Sequence, residues 1–293
     1  MKKIISCITG SIILFGFYVV NQNDINIDNI MSERKAENIE TSESDKELIN
    51  IEYDANKNTE NYVTLNNNKT TLNSDDKELL KEKGTNHAWQ KYNELDDLGR
   101  GQKVSALVDR KQVVQRSSKY LKDNGILYDN RKIYERPDFP TYVHVSGEYS
   151  DGWFDKSKMR WKGQNSNNGN VDLGTYNGWL YNKSHTLGWS LGGDMETHNV
   201  TLGTRSQNVG SGQKGGMGYP ENQVRDAVKK HKDIKIYYES EPVYKDSELV
   251  PRGTHVEAYS VNDNGKSLNL NVWIFNKQKD IKINYKNGSW SEH

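Results

Sequence analysis

Residues 176–228 read YNGWLYNKSHTLGWSLGGDMETHNVTLGTRSQNVGSGQKGGMGYPENQVRDAV, and this stretch decides what the fold has to support. A strand-like aromatic run at 179–181 leads to His185, a glycine-punctuated connection follows, and a helix is predicted to begin at Pro220. The side chains of chemical interest are an imidazole, two amides, a carboxylate and three cations, at His185, Asn199, Asn208, Glu221, Lys183, Arg205 and Arg225. The stretch contains no cysteine and no phosphate-binding P-loop. This combination suits metal-assisted cleavage of a phosphodiester.

The histidine and the second asparagine each have a structural and a functional interpretation. A histidine is more often a packing or surface residue than a catalyst, but an imidazole with a near-neutral pKa can take a proton from water. Asn208 lies just before Gly210, which is typical of a turn. Its carboxamide oxygen could instead bind Mg²⁺, because that ion keeps most of its waters and takes few protein ligands.

The predicted helix carries the carboxylate and one of the cations. Pro220 suits the first helical position, and Glu221 lies at the favourable end of the helix dipole. Glu221, Val224, Arg225 and Val228 share one face, so the two valines would bury that face and hold the charged pair at its margin. There the carboxylate could bind a metal-bound water and the guanidinium a phosphate; a simple surface ion pair is the alternative.

The rest of the folded part predicts an α+β domain on a mainly antiparallel sheet with flanking helices. Alternating apolar residues predict strands at 104–108, 234–239, 255–261, 268–275 and 281–285, and a helix from Pro220 to about Lys230. Residues 87–98 look helical or turn-like, 112–121 show no clear period, 138–151 look strand-like, and 155–175 predict a surface loop. Trp153 and Trp161 in that region either stack on bases or seal the edge of the core.

Composition divides the chain into an acidic leader and a basic body. The formal net charge is zero, but residues 24–84 carry about seven more acidic than basic groups, and residues 85–293 about five more basic than acidic. A basic body suits a polyanionic substrate, although many surfaces that bind nothing are equally basic. The single cysteine, Cys7, lies in the N-terminal apolar run, which excludes thiolate catalysis and a cysteine-based zinc site from the folded part.

The N-terminus predicts export. Residues 1–22 begin with two lysines and continue as an apolar run, which is the pattern of a signal peptide or, alternatively, of a short membrane anchor. We therefore expect a secreted protein, or one anchored outside the membrane. Residues 23–84 are polar and acidic and are expected to be disordered, because they bury too little apolar surface to offset chain entropy. The folded domain is then expected to span 85–293.

Several motifs, in order, resemble the DNA/RNA non-specific endonucleases, and most closely the secreted streptodornase (mitogenic factor) and DNA-entry nuclease branch. They are YNELDDLGR at 92–100, YNKSHTLGWSLGG at 181–193, HNVTLGTRSQN at 198–208, GGMGYPENQVRDAV at 215–228, LVPRGTHVEAYSV at 249–261 and LNLNVWIFN at 268–276. The resemblance covers roughly residues 86–290. It departs at NKSH, where many members have Asp-Arg-Gly-His, since Lys183 supplies charge without the forked geometry of arginine.

The resemblance implies a ββα-metal (His-Me finger) fold, in which two strands and a helix enclose one divalent cation. It implies His185 as general base, Asn208 as the direct Mg²⁺ ligand, with Mn²⁺ or Ca²⁺ able to substitute, and Asn199 as a residue that orients water or substrate. It further implies that Glu221 acts on the metal through water and that Arg225 binds phosphate. Lys183 and Arg205 are expected to contact the substrate.

The expected activity is Mg²⁺-dependent endonucleolytic hydrolysis of DNA, with RNA left open as a second substrate, to give 5′-phosphate ends. Because water is the nucleophile, neither sugar type is chemically required. No small-molecule cofactor or obligate protein partner is expected. The alternative function is a secreted or surface protein that binds nucleic acid on the same scaffold without cleaving it.

Overall fold

Runs of alternating apolar residues, bounded by glycine, asparagine and aspartate, form the main strands of the molecule. The computed structural model of the chain describes residues 43–129, 132–133, 153–155, 160–162, 168–172, 177–194, 196–210 and 215–293. Its helices are α1 (Glu43–Leu48), α2 (Ser74–Lys83), α3 (Arg110–Gln115), α4 (Ser118–Asp123), α5 (Arg205–Val209) and α6 (Gly218–Lys230). Its strands are β1 (Tyr62–Thr64), β2 (Trp89–Tyr92), β3 (Val104–Val108), β4 (Leu127–Asp129), β5 (Lys132–Ile133), β6 (Trp153–Asp155), β7 (Arg160–Lys162), β8 (Asn170–Asp172), β9 (Asn177–Trp179), β10 (Tyr181–His185), β11 (Val200–Thr204), β12 (Ile236–Val243), β13 (Gly253–Ser260), β14 (Asn269–Phe275), β15 (Ile281–Ile283) and β16 (Trp290–Glu292).

A six-stranded sheet in the order β1-β14-β13-β12-β3-β2 forms the centre, and each neighbouring pair in it is antiparallel. The remaining described strands form two-stranded sheets, among them the β10–β11 hairpin. The predicted α+β class is therefore confirmed. The predicted strands at 104–108, 234–239, 255–261, 268–275 and 281–285 correspond to β3, β12, β13, β14 and β15, and the predicted helix to α6.

The two faces of the central sheet are covered by different parts of the chain. Even-numbered residues such as Val104, Tyr238 and Val272 pack with Val224 and Val228 of α6 in the largest hydrophobic cluster. Odd-numbered residues point the other way, because successive side chains of a strand alternate between faces. They are covered by apolar residues from 48–80. One cluster packs Leu72, Leu79 and Leu80 against Leu107 and Tyr237. A second cluster packs Leu48, Ile49, Ile51, Tyr53, Val63 and Leu65 against Val243, Trp273 and Phe275.

The N-terminal segment, defined here as residues 43–84, corrects the expectation that order begins near residue 85. Its strand β1 adds an edge to the central sheet by pairing with β14. Its helix α2 begins with a capping box, in which Asn73 and Asp76 each accept the other's backbone N–H at 3.0 and 2.9 Å. The scattered aliphatic residues of the segment bury little surface by themselves, and they become core residues only against the sheet.

Other differences are local. Residues 89–92, predicted to be helical or turn-like, form the edge strand β2. The stretch without a clear period contains two short helices, capped by Asp109 and Ser117, whose side chains accept backbone N–H groups of the first turn. Within the predicted loop at 155–175, the described pieces form strands β7 and β8 and the end of β6.

The predicted strand at 138–151, residues 1–22 and residues 23–42 lie outside the described residues. Among the residues that the structure describes, no helix combines the length and apolar character needed to cross a bilayer.

Candidate functional site

The β10–β11 hairpin and the helix after it form the strand–strand–helix unit that the sequence predicts. The hairpin pairs Tyr181 with Thr204 at one end and His185 with Val200 at the other. Helix α5 begins directly after β11, because the Thr204 hydroxyl caps it by accepting the N–H of Gln207 at 3.0 Å. Gln207 is buried, and a side chain at Gly203 would collide with it, so the helix lies close against the hairpin.

Asn208 lies on α5, where it is held by a residue that sequence reasoning missed. Its Nδ2 donates to Oδ1 of Asn182 on β10 at 3.3 Å, and Arg205 Nη1 donates to the same oxygen at 3.4 Å. This hydrogen bond uses the nitrogen end of the Asn208 amide, so the oxygen end is the one turned away from Asn182. The sequence feature that could have identified Asn182 is its position. It is the first residue of the NKSH motif, where many members of the family that the motifs resemble have aspartate.

His185 is the last residue of β10 and is half-buried. The pleat of the strand places Lys183 and His185 on the face opposite to Asn182 and Ser184. Burial alone would raise the pKa of Asp194, but hydrogen bonds from His198 and the Glu196 N–H, with the nearby His185 imidazole, hold that pKa below its usual value. His185 therefore lies within electrostatic reach of the Asp194 carboxylate.

Asn199 is completely buried, and its amide is bonded to backbone on both ends. Its Oδ1 accepts the Leu187 N–H at 2.8 Å, while its Nδ2 donates to the carbonyls of Leu187 at 2.9 Å and Asp194 at 2.8 Å. These bonds tie the connection after His185 to the strand β11. These bonds give Asn199 a positioning role, and the predicted contact with water or substrate stays a prediction.

Glu221 lies in the first turn of α6 with its carboxylate against Gly188, three residues after His185. A side chain at residue 188 would displace that carboxylate, so glycine at this position leaves room for it. The Glu221 side chain is 16% exposed. Burial raises the pKa of Glu221 to about 7, and the opposing effect of Arg225 is smaller.

Arg225 is held by neighbours other than Glu221. Its Nη1 lies 4.0 Å from Glu221 Oε2, which is too long for a hydrogen bond. Instead Nη1 donates to Ser190 Oγ at 2.8 Å, and Nη2 donates to Asn222 Oδ1. The Glu221–Arg225 ion pair, which was the alternative interpretation of the sequence, is therefore too long to be a hydrogen-bonded pair. The guanidinium of Arg225 is held instead by the 3₁₀ turn Trp189–Leu191.

The elements that carry these groups pack against one another. Helix α5 contacts the hairpin and α6, and α6 contacts the 189–191 turn. A backbone hydrogen bond of 2.8 Å from Met217 N to Gln207 O joins the start of α6 to the residue before Asn208. The structure thus assembles two groups, one of Asn208 and Arg205 beside Asn182 of β10, and one of Glu221 and Arg225 beside the connection that follows His185.

The residues present fit a hard divalent cation. Amide and carboxylate oxygens are the donors that Mg²⁺ prefers, and a site that leaves most positions to water needs few of them. Among the described residues, no three histidine, cysteine or acidic side chains are grouped to hold an ion.

Comparison with known proteins finds a matching family for the part of the chain that contains this site. Residues 155–262 match the family described as DNA/RNA non-specific endonuclease. A curated deoxyribonuclease from Streptococcus dysgalactiae subsp. equisimilis is 37% identical over 113 residues, which are 39% of this chain and 33% of that protein. The chain thus matches about a third of the length of that relative.

Two solved structures share the fold. The Sda1 nuclease, solved with a bound zinc ion, has a TM-score of 0.62 at 23% identity and covers 83% of this chain and 100% of its own. NucA from Streptococcus agalactiae has a TM-score of 0.50 at 21% identity and covers 80% of this chain and 88% of its own. At these identities the likeness shows the fold alone.

Proposed function

Because residues 155–262 match the DNA/RNA non-specific endonuclease family, we propose that the chain is a member of that family and an exported, Mg²⁺-dependent endonuclease. It hydrolyses phosphodiester bonds of DNA to leave 5′-phosphate ends, and whether RNA is a second substrate is left to the experiment. The observation that carries the proposal is the strand–strand–helix unit in which Asn182 orients the carboxamide of Asn208. Export is proposed from the apolar run at residues 1–22.

Each residue of the site has one task in this mechanism. His185 takes a proton from the water that attacks phosphorus, and the bond between phosphorus and the 3′ oxygen breaks. Asn208 would hold the cation directly and Glu221 through water, and the bound cation would neutralise charge on the phosphoryl and leaving oxygens. Arg225, fixed by Ser190, stabilises the same charge, and Arg205 and Lys183 contact the phosphate backbone. Asn199 and Asn182 hold the others in place.

Plasmid cleavage by the purified protein tests the proposal. We expect nicking and linearisation of DNA with Mg²⁺ and none with EDTA; Mn²⁺, Ca²⁺ and Zn²⁺ are compared in parallel, and RNA serves as a second substrate. His185→Ala and Asn208→Ala should each lower turnover by at least about a hundredfold. The same substitutions at exposed positions, His87→Ala and Asn56→Ala, should leave it unchanged.

Two further results complete the test. They are the chemistry of the ends of the DNA fragments and the result expected from a protein that binds DNA without cleaving it. Fragments that DNA ligase rejoins without prior phosphorylation would carry the expected 5′-phosphate. Wild-type protein that binds DNA in the presence of EDTA and leaves it intact with every metal would instead establish the alternative, a non-catalytic nucleic-acid-binding protein. Full activity in either site variant would overturn the residue assignment.

A further inference from the structure

The N-terminal segment reaches the short connection between the two halves of the site. The carbonyl of Glu60 accepts the N–H of Gly216 at 2.8 Å. A side chain at Gly215 would collide with the Glu60 backbone, and Gly216 has a φ of +53°, which favours glycine. Two consecutive glycines are therefore needed for this close approach of two backbones that are far apart in sequence.

An aromatic pair continues the contact into helix α6. The rings of Tyr62 and Tyr219 are stacked at 4.1 Å with an angle of 13° between their planes. Tyr219 lies two residues before Glu221 in the first turn of α6. Tyr62 is fixed in turn by strand β1, where it pairs with Ile274 of the central sheet. The orientation of the first turn of α6 is thus linked to the sheet through Tyr62.

The same connection is bonded to the helix that carries Asn208. Gly215 N donates to Val209 O at 3.1 Å, and Met217 N donates to Gln207 O at 2.8 Å. Residues 215–217 are therefore held from one side by α5 and from the other by the N-terminal segment.

We propose that Tyr62 and the Glu60 backbone are positioning elements of the active site, which set the distance between Asn208 and Glu221, and that the N-terminal segment is therefore part of the active enzyme. This inference rests on the proposed function, because it assigns the metal to these two residues. Partners that orient metal-binding side chains without touching the metal typically change affinity by about 10- to 100-fold when removed.

Tyr62→Ala, Tyr62→Phe and Tyr53→Ala test the proposal in the full chain. Tyr62→Phe keeps the stacked ring. Tyr53→Ala is the matched control, since Tyr53 belongs to the same segment but contacts Phe275, with ring centroids 5.2 Å apart, on the other face of the sheet. Mg²⁺ binding by titration calorimetry should weaken about tenfold in Tyr62→Ala and stay within about twofold of wild type in the other two.

Hydrogen exchange of the Gly216 amide provides a readout that needs neither metal nor activity. It should be faster, on the order of tenfold, in Tyr62→Ala only. Equal exchange and equal Mg²⁺ affinity in Tyr62→Ala and Tyr53→Ala would overturn the positioning role. Faster exchange in Tyr62→Ala with no Mg²⁺ binding even by the wild type would overturn the proposed function, and with it the link to the metal, while leaving the mechanical contact established.

Discussion

At the scale of single residues, burial decides the chemistry of Glu221. The sequence places this carboxylate at a helix N-terminus, where the dipole favours its ionised form. In the structure the carboxylate lies against Gly188 with little water, and burial raises its pKa to about 7. In the metal-free protein, ionisation of the Glu221 carboxylate above that pH therefore destabilises the folded state. A bound cation would reverse this, because it favours the ionised form.

Glu221→Gln should stabilise the metal-free protein at alkaline pH. The folded pKa of about 7 lies above the ordinary value of 4.5, so the protonated form contributes stability that is full below pH 4.5 and is lost as pH rises through 7. We expect the variant to exceed wild type at pH 8 by up to about 3 kcal/mol and to match it at pH 4, as measured by urea unfolding in EDTA. A variant less stable than wild type at pH 8 would contradict this account.

At the scale of elements, the N-terminal segment docks on the sheet through buried polar contacts as well as apolar ones. Asp45 of α1 lies 2.9 Å from His255 Nδ1 of β13, and Tyr237 of β12 donates its hydroxyl toward Asp76 of α2 at 2.9 Å. Burial alone would lower the pKa of His255, but Asp45, with Glu257 and Asn271, raises it to about 9. The docking of α1 is thus tied to a protonated imidazole.

The stability of this docking should fall with rising pH. Because the folded pKa of His255 is about 9 and its ordinary value is 6.5, the stabilisation is full below pH 6.5 and is lost as pH rises through 9. Asp45→Asn should lower the free energy of unfolding by on the order of 2 kcal/mol at pH 6 and have little effect at pH 10. Asp54→Asn, in an exposed pair with Lys57, is the control and should not alter the pH dependence. An equal loss at both pH values for Asp45→Asn would refute the ion pair.

At the scale of the whole molecule, the N-terminal segment is one of the two layers that cover the central sheet. It buries Trp273, Phe275, Leu107 and Tyr237, all on the face opposite to α6. Its removal would expose two apolar clusters on one face of the sheet, and large exposed apolar patches are rare on soluble monomers. The boundary at residue 85, drawn from composition, would therefore cut through the hydrophobic core.

A protein of residues 85–293 should fail to fold, whereas one of residues 43–293 should fold like the full chain. We expect the shorter protein to aggregate or to bind the dye ANS with lost near-ultraviolet circular dichroism, because one sheet face is uncovered. The longer one should unfold in a single cooperative transition. Cooperative unfolding of 85–293 at the wild-type temperature would show that the segment is dispensable.

The sequence by itself determined the antiparallel strands β3 and β12–β14, helix α6, and the residue types and spacing of His185, Asn208, Glu221 and Arg225. These features are encoded by local periodicity, capping and motif order, which depend on near neighbours in the chain. The predicted α+β class is confirmed, and residues 155–262 match the family that the motifs resemble. The roles assigned to His185 and Asn208 remain predictions for the variants above to test, and the phosphate-binding role of Arg225 also remains a prediction.

Only the tertiary structure decided the role of Asn182, the burial of Asn199 and the place of residues 43–84. Asn182 bonds a residue 26 positions later, and Asn271 donates its side chain to Lys69 O across 202 positions. Contacts between residues so far apart in the chain produce no periodic pattern in the sequence. A polar, aliphatic-poor segment, considered alone, also has the composition of a disordered chain. It becomes ordered because the sheet supplies the apolar surface and the hydrogen-bonding partners that its own residues lack.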